Sequence, residues 1–244
     1  MIWLAAAFFA TALLYASVGY GGGSTYNALL ALAGVDYRLL PTLALACNIV
    51  VVSGSVVRFA RAGLLPWRGA VLLTGIAAPA ALLGGLTPLD ERTFMTLLGV
   101  ALILTALTMA LPSSREDGEA GRLGRWVPLA AAPIGYLAGL VGIGGGIFLA
   151  PLLHIVRWKP AREIAATASI FILVNSIFGL AGQLMKGGTD RLGSAITLGL
   201  PLLVAVAIGG QIGSLLASRF LHPAWIRALT AALTLWVGVR LLLG

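Results

Sequence analysis

The segment Leu140-Val141-Gly142-Ile143-Gly144-Gly145-Gly146-Ile147 interrupts a long apolar stretch, and an earlier segment, Ser17-Val18-Gly19-Tyr20-Gly21-Gly22-Gly23-Ser24, repeats its glycines. A shift of 123 positions, from Gly19 to Gly142, superimposes all four glycines of one segment on those of the other. Glycine-broken apolar segments at matching positions of two halves are the best sequence indication of a transporter binding site. The pair, called here the first and second glycine stretches, therefore predicts a membrane protein built from two repeats.

The composition predicts an all-α integral membrane protein. Charged residues make up 10% of the chain and hydrophobic residues 59%, with a mean hydropathy of +1.01, whereas soluble domains carry about 25% charged residues. Only helices and closed barrels satisfy every backbone polar group in lipid. The apolar runs are continuous rather than alternating, which favours helices over a barrel.

Each half divides into five predicted helical segments. The predicted segments are 2–18, 22–34, 39–60, 67–86 and 92–111, followed by 127–142, 145–156, 163–185, 191–218 and 224–243. We expect an N-terminal membrane repeat (1–111), a polar linker (112–126) and a C-terminal membrane repeat (127–244). An odd number of crossings in each half would give the two copies opposite orientations, which is the inverted-repeat architecture.

The second segment of each half is short. At 1.5 Å per residue, the segments 22–34 and 145–156 fall well short of a hydrocarbon core of about 30 Å. They favour helix hairpins whose glycine tips meet near the bilayer centre, although full crossings stay open. Irregular backbone at that depth must be buried in protein or line a cavity.

The basic residues predict the orientation. Of the 16 Lys and Arg residues, 11 fall in loops on one side of the predicted topology and 5 on the other, and the richer side is cytoplasmic by the positive-inside rule. We therefore expect a multi-pass protein of the cell inner membrane with both termini extracytoplasmic. No Lys or Arg precedes Arg38, so residues 2–18 are interpreted as a membrane segment rather than a cleaved signal peptide.

Consecutive glycines let the backbone take positive φ, so that their N–H groups can turn toward one point and form a nest that suits an anion. Helices that begin just after each stretch would direct their positive N-terminal ends there. All eight acidic residues fall in predicted loops or helix ends, and the apolar middle also lacks Lys and Arg. The predicted substrate-binding residues are Tyr20, Gly21, Gly22, Gly23, Ser24, Thr25, Asn27, Thr42, Asn48, Gly144, Gly145, Gly146, Thr167, Ser169, Asn175 and Gln183.

Two other interpretations stay open. The glycines could serve only close helix packing, since Gly19 with Gly23 and Gly142 with Gly146 have the GxxxG spacing. The protein could also be an intramembrane enzyme, either a hydrolase or a lipid-modifying transferase. We do not expect an enzyme, because no Ser/His pair, paired carboxylates or metal-ligand spacing occurs at membrane depth. Neither a cofactor, a metal nor a nucleic-acid partner is expected.

These residues resemble the TauE/SafE-type sulfite exporter family, also called the toluene sulfonate uptake permease family. The resemblance rests on residues 139–146 with Pro151 and then on Ala166-Thr167-Ala168-Ser169, and it covers essentially the whole chain. The first glycine stretch departs from the pattern, because Ala28 stands where the second copy has Pro151. The resemblance implies transport of small anions such as sulfite, sulfoacetate or other C2 sulfonates, with small carboxylates as the alternative. The expected partners are this anion and the lipid bilayer, and a homodimer stays open.

Overall fold

The structure of the protein is a computed structural model that describes residues 2–18, 21–110, 126–216 and 223–243. Within these ranges every regular element is a helix and no strand occurs. The predicted all-α fold is therefore confirmed. The predicted linker lies outside the described residues except for Trp126.

Nine helices lie in the described ranges. They are α1 (Ile2–Val18), α2 (Gly23–Leu32), α3 (Leu40–Arg61), α4 (Trp67–Leu86), α5 (Glu91–Ala110), α6 (Val127–Val141), α7 (Gly146–Ile155), α8 (Ala161–Leu216) and α9 (Pro223–Leu243). Apart from one break, their ends lie within two residues of the predicted ones. The ends agree because polar or glycine-rich turns at both ends of each long apolar segment determine where its helix begins and ends.

Helical backbone continues through the predicted break between residues 185 and 191, so α8 is one element of 56 residues, but the break correctly locates a change of direction. A straight helix of this length would extend for about 84 Å. Leu45 nevertheless contacts Gly179 while Leu43 contacts Gly199, and a straight helix would hold those two glycines about 30 Å apart. The helix must therefore fold back on itself between them. Glycine positions are among the usual sites of sharp helix bends, and a glycine pair stands at residues 187–188.

The bend divides α8 into a first arm, Ala161–Gly187, and a second arm, Ala195–Gly213, and each arm is long and apolar enough to cross a membrane. Three further helices in the described ranges meet the same criterion, namely α3, α4 and most of α5. Helices α2 and α7 contain only 10 residues each, which corresponds to about 15 Å. They are too short to cross a bilayer, as their sequence segments predicted.

Glycines bring several helix backbones into direct contact. Gly139 of α6 lies against the carbonyl of Ala81 on α4, and Gly85 of α4 lies against the carbonyl of Gly179 on the first arm of α8. A Cβ at Gly139 or Gly85 would overlap the facing carbonyl, so α4, α6 and the first arm pack closely only because these positions carry no side chain.

The second arm of α8 packs against α1 in the same way. Gly209 lies on the carbonyl of Phe9 and Gly213 on that of Leu13. Large apolar side chains such as Trp67, Leu83 and Leu129 are instead more than half exposed on the outer surface. An apolar exterior of this kind is expected for helices that face lipid.

Candidate functional site

The two glycine stretches meet on one pair of side chains. A Cβ built on Gly21 would lie 2.7 Å from Asn48 Oδ1 and 3.1 Å from Ile172 Cγ2. A Cβ built on Gly144 would lie 2.9 Å from both Asn48 Nδ2 and Ile172 Cγ2. Gly21 and Gly144 are 123 positions apart, so the glycines that correspond in the sequence repeat also share their neighbours in space. This meeting point is called the central site below.

Asn48, from the first half of the chain, bonds the second glycine stretch directly. Its Nδ2 donates to the Ile143 carbonyl at 3.3 Å, and a Cβ on Gly23 would lie 2.5 Å from that same carbonyl oxygen. The Oδ1 atom of Asn48 faces Gly21 and has no hydrogen-bond partner among the described residues. Asn48 therefore touches both glycine stretches and keeps one acceptor unused.

The first arm of α8 adds further unpartnered polar atoms. Ile172, Asn175, Ser176 and Gly179 have the i, i+3, i+4, i+7 spacing that places side chains on one helix face. Ser176 Oγ would lie 3.1 Å from a Cβ on Gly144. Asn175 and Ser176 are fully buried, and their side-chain nitrogen and oxygen atoms bond to nothing in the described part of the chain. Burying such a group unpaired costs about 1–3 kcal/mol, which marks these atoms as candidates for contact with a ligand.

Two helices begin at the central site, α2 at Gly23 and α7 at Gly146, and neither has a side-chain cap. The first N–H groups of a helix have no partner within it, and they carry the positive end of the helix dipole. Ser24, in the first turn of α2, is fully buried with its hydroxyl unpartnered. The site thus offers hydrogen-bond donors from two helix ends.

The two glycine stretches differ in backbone conformation. Gly142, Gly144 and Gly145 have φ values of 81°, 82° and 78°, in the left-handed region that favours glycine. Gly22 has a φ of −93°, and residues 21–23 do not enter that region. The expectation of positive φ is therefore correct for the second stretch and wrong for the described part of the first. The reason is that Gly22 already has a nearly helical backbone and leads straight into α2.

Gly22 and Gly145 face away from the central site. A Cβ on Gly22 would lie 2.9 Å from Thr11 Cγ2 and from the Tyr26 ring, and one on Gly145 would lie 3.0 Å from Phe171. These neighbours belong to surrounding helices rather than to the space between the stretches. The packing interpretation of the glycines therefore applies to these two positions.

Two of the predicted amides bond to the C-terminal end of α6. Asn27 Nδ2 donates to the carbonyls of Val141 and Gly142 at 3.0 and 3.2 Å, and Gln183 Nε2 donates to the carbonyl of Gly139 at 3.0 Å. The last carbonyls of a helix have no partner within it, so these side chains satisfy them. Asn27 and Gln183 thereby position the second glycine stretch.

The remaining predicted side chains are engaged locally or lie elsewhere. Thr25 shares a hydrogen bond of 2.9 Å with a tyrosine hydroxyl of α1, whereas Thr167 and Ser169 each donate to the backbone carbonyl four residues earlier, at 2.8 and 2.9 Å. Thr42 is half-buried at the start of α3, and Tyr20 lies outside the described residues.

Sequence reasoning missed Ile172 and did not select Ser176. It selected the amides Asn48 and Asn175, but in the contacts to Gly21 and Gly144 the residue opposite Asn48 is Ile172. An isoleucine in an apolar helix gives no signal of its own. The position of Ile172, 124 residues after Asn48 and close to the 123-residue repeat, could have indicated it.

The described residues around the central site carry no charge. The fully buried polar residues that the structure describes are all Thr, Ser, Asn or Gln, with no Asp, Glu, Lys or Arg among them. No group of three or more His, Cys, Asp or Glu side chains within the described ranges could hold a metal ion. The central site is therefore neutral, and its polarity comes from amides, hydroxyls and backbone N–H groups.

Short helices that meet at glycine-broken ends, inside a bundle with an apolar exterior, define a class of multi-pass helical membrane proteins whose architecture is typical of secondary transporters. The comparison with known families places the chain within that class. It belongs to the sulfite exporter TauE/SafE family, whose model matches residues 3–241.

Curated relatives agree with this membership. A probable membrane transporter protein of Sinorhizobium fredii, y4hK, is 36% identical over 99% of this chain and 98% of its own length. A probable membrane transporter protein of Xylella fastidiosa is 28% identical over 82% of this chain and 79% of its own. The sulfite exporter TauE/SafE family protein 1 of Arabidopsis thaliana is 36% identical over 40% of this chain and 21% of its own. No matching solved structure was found.

Proposed function

We propose that this protein transports small sulfur-containing oxyanions across the membrane and binds them at the central site. The observation that carries the proposal is the contact of Gly21 and Gly144 with the same two side chains, Asn48 and Ile172. Around that contact lie buried polar atoms without partners and two uncapped helix ends. The family and its curated relatives support a transporter rather than an enzyme.

A neutral site of this kind would bind an anion through hydrogen bonds and helix dipoles instead of through a charged side chain. Backbone N–H groups at the starts of α2 and α7 would donate to its oxygens, and the helix dipoles would favour negative charge. The Asn175 amide and the Ser176 hydroxyl would supply further donors. Asn48 Oδ1 is an acceptor, so it would suit a protonated oxygen of the anion, as in hydrogensulfite.

The substrate class follows from the family name together with this chemistry. We propose sulfite, sulfoacetate and other C2 sulfonates, because each offers several acceptor oxygens around one compact centre. Small carboxylates offer fewer oxygens to the same set of donors and are the second candidate.

We further propose that the two halves are inverted repeats with both termini extracytoplasmic. The ends of α1 and α6 support the repeat, since polar side chains from the following long helices bond to both. Arg58 of α3 donates to the carbonyl of Ala16 at 3.1 Å, and Gln183 of α8 donates to that of Gly139. Ala16 and Gly139 are again 123 positions apart.

The decisive experiment is flux of labelled sulfite and sulfoacetate into proteoliposomes that contain the purified protein. We expect saturable uptake that acetate inhibits weakly. Ser176→Ala should weaken sulfoacetate binding by about 5- to 30-fold, because it removes about 1–2 kcal/mol of hydrogen bonding to a charged group.

Thr105→Val is the matched control for Ser176→Ala. The Thr105 hydroxyl is also fully buried without a partner in the described structure, but it lies on α5, which packs mainly against α9. We expect Thr105→Val to transport and bind normally. Absence of flux for every sulfur oxyanion would refute the substrate class, and equal effects of the two variants would refute the central site.

A further inference from the structure

A cavity of about 280 Å³ opens beside the second glycine stretch, between the start of α3 and the end of the first arm of α8. Arg38 and Lys186 both line it, one from each half of the chain, and none of its lining residues is acidic. Its volume lies below the roughly 300–1,000 Å³ of pockets for drug-sized ligands. The cavity therefore suits a smaller molecule, and its lining favours a negative one.

Three lining residues of the cavity belong to or contact the segment that leads to the central site. Leu140 and Gln183 line it, and Gln183 donates to the carbonyls of Gly139 and Leu140 at 3.0 and 3.4 Å. Pro41 also lines the cavity and lies against Gly142 of the second glycine stretch. The lining residue Leu140 and the neighbour of Pro41, Gly142, are thus only four and two residues before Gly144 in the sequence, and Gly144 contacts Asn48.

Arg38 is exposed at the cavity and has most of its donors unused. Its Nε donates to the Tyr37 hydroxyl at 3.2 Å, and its guanidinium carbon lies 5.4 Å from the centre of that ring. The hydrogen bond that Arg38 donates to Tyr37, with help from the charges of Asp36 and Glu91, raises the pKa of Arg38 above its usual value. Its two terminal nitrogens have no hydrogen-bond or ion-pair partner in the described part of the chain. A guanidinium fork with free N–H groups matches a carboxylate, sulfonate or similar oxyanion.

Lys186 adds a second positive charge to the cavity lining. Its Nζ donates to the carbonyl of Thr87 at 3.1 Å, which anchors the ammonium group beside the cavity. Two cations in one concave site raise the local concentration of anions and speed their capture, and salt screens this effect.

We propose that this cavity is a second anion site, an entrance chamber where Arg38 and Lys186 capture the oxyanion before it moves to the neutral central site. The proposal rests on the proposed function for the identity of the anion. In this proposal the positive side chains of the chamber attract the anion, and the uncharged groups of the central site then bind it.

The first test measures the concentration dependence of sulfoacetate flux at low and high ionic strength. For Arg38→Gln we expect KM to rise about 5- to 10-fold at low salt, the effect to shrink below about 2-fold near 0.5 M salt, and the maximal flux to stay unchanged. Arg240→Gln is the matched control, because Arg240 also stacks on an aromatic ring, that of Trp236, and lies outside the cavity lining. Equal effects of Arg38→Gln and Arg240→Gln would overturn the proposal.

The second test does not depend on transport. Phenylglyoxal modifies exposed arginines, so its reaction with Arg38 and Arg240 in the detergent-solubilised wild type can be followed by mass spectrometry. We expect sulfoacetate to slow modification of Arg38 and leave Arg240 unaffected. If flux occurs but Arg38 is not protected, the chamber is wrong and the transporter proposal stands. If flux fails, protection of Arg38 alone still decides for or against the chamber.

Discussion

A comparison of Asn27 with Asn175 tests the proposed central site. Both are fully buried on helices near the glycine stretches. The Asn27 amide group donates to two carbonyls at the end of α6, whereas neither polar atom of the Asn175 side chain has a partner in the described structure. The same substitution, Asn→Ala, should therefore lower protein stability at one position and substrate affinity at the other.

The magnitudes follow from the bonds that are lost. Asn27→Ala removes two hydrogen bonds, each worth about 0.6 kcal/mol on average between membrane helices and about 1.7 kcal/mol at most. It also leaves two buried carbonyls unpaired, so we expect a loss of about 2 kcal/mol. At about 2–4 °C per kcal/mol for a chain of this size, the melting temperature should fall by about 4–8 °C. Asn175→Ala breaks no bond within the protein, so we expect its melting temperature to stay within about 2 °C of wild type.

Cys47 provides the stability assay. It is the one cysteine in the chain and is buried as a free thiol, so a thiol-reactive fluorogenic dye will report unfolding in detergent at a fixed heating rate. Titration with sulfoacetate then measures affinity, which Asn175→Ala should weaken by about 5- to 30-fold, equivalent to 1–2 kcal/mol. The reasoning is refuted if Asn175→Ala lowers the melting temperature as much as Asn27→Ala, or if it binds sulfoacetate with wild-type affinity.

Three further predictions use the same preparation. Gly145→Ala should destabilise the protein by about 1–2 kcal/mol, since alanine resists a φ of 78°, and an unchanged melting temperature would contradict the backbone assignment. Gly139→Leu should prevent folding, because its side chain would overlap the carbonyl of Ala81, and recovery of monodisperse protein would contradict the close contact of α4 with α6. Tags on both termini should be accessible in cells with an intact cytoplasmic membrane, and labelling that requires its permeabilisation would reverse the predicted orientation.

Most of the fold could be predicted because length and hydropathy determine membrane helices almost alone. The bounds of α1 and α4 coincide with those predicted. The continuous α8 could not be foreseen, because Lys186-Gly187-Gly188 reads as a loop. The tertiary contacts of its two arms show that the chain nevertheless changes direction between them.

The site was predicted less completely, since side-chain direction depends on packing. The sequence predicted that glycine stretches and amides would matter, but it could not tell Gly144, which faces the central site, from Gly145, which faces Phe171. It also could not show that Asn27 bonds a neighbouring helix end while Asn175 is left unpaired. Residues of the same type have different contacts here because different helices pack around them, and a sequence does not show that packing.

The contact between α1 and the second arm of α8 constrains how the protein is made. Phe9 meets its partner Gly209 only after 200 further residues have been synthesised, which takes about 10–40 s at 5–20 residues per second. Throughout that interval the face of α1 that will receive these glycines must be occupied by lipid or by a membrane chaperone. This contact therefore closes late in assembly, and truncation of the chain before the second arm should leave that face of α1 exposed to membrane proteases.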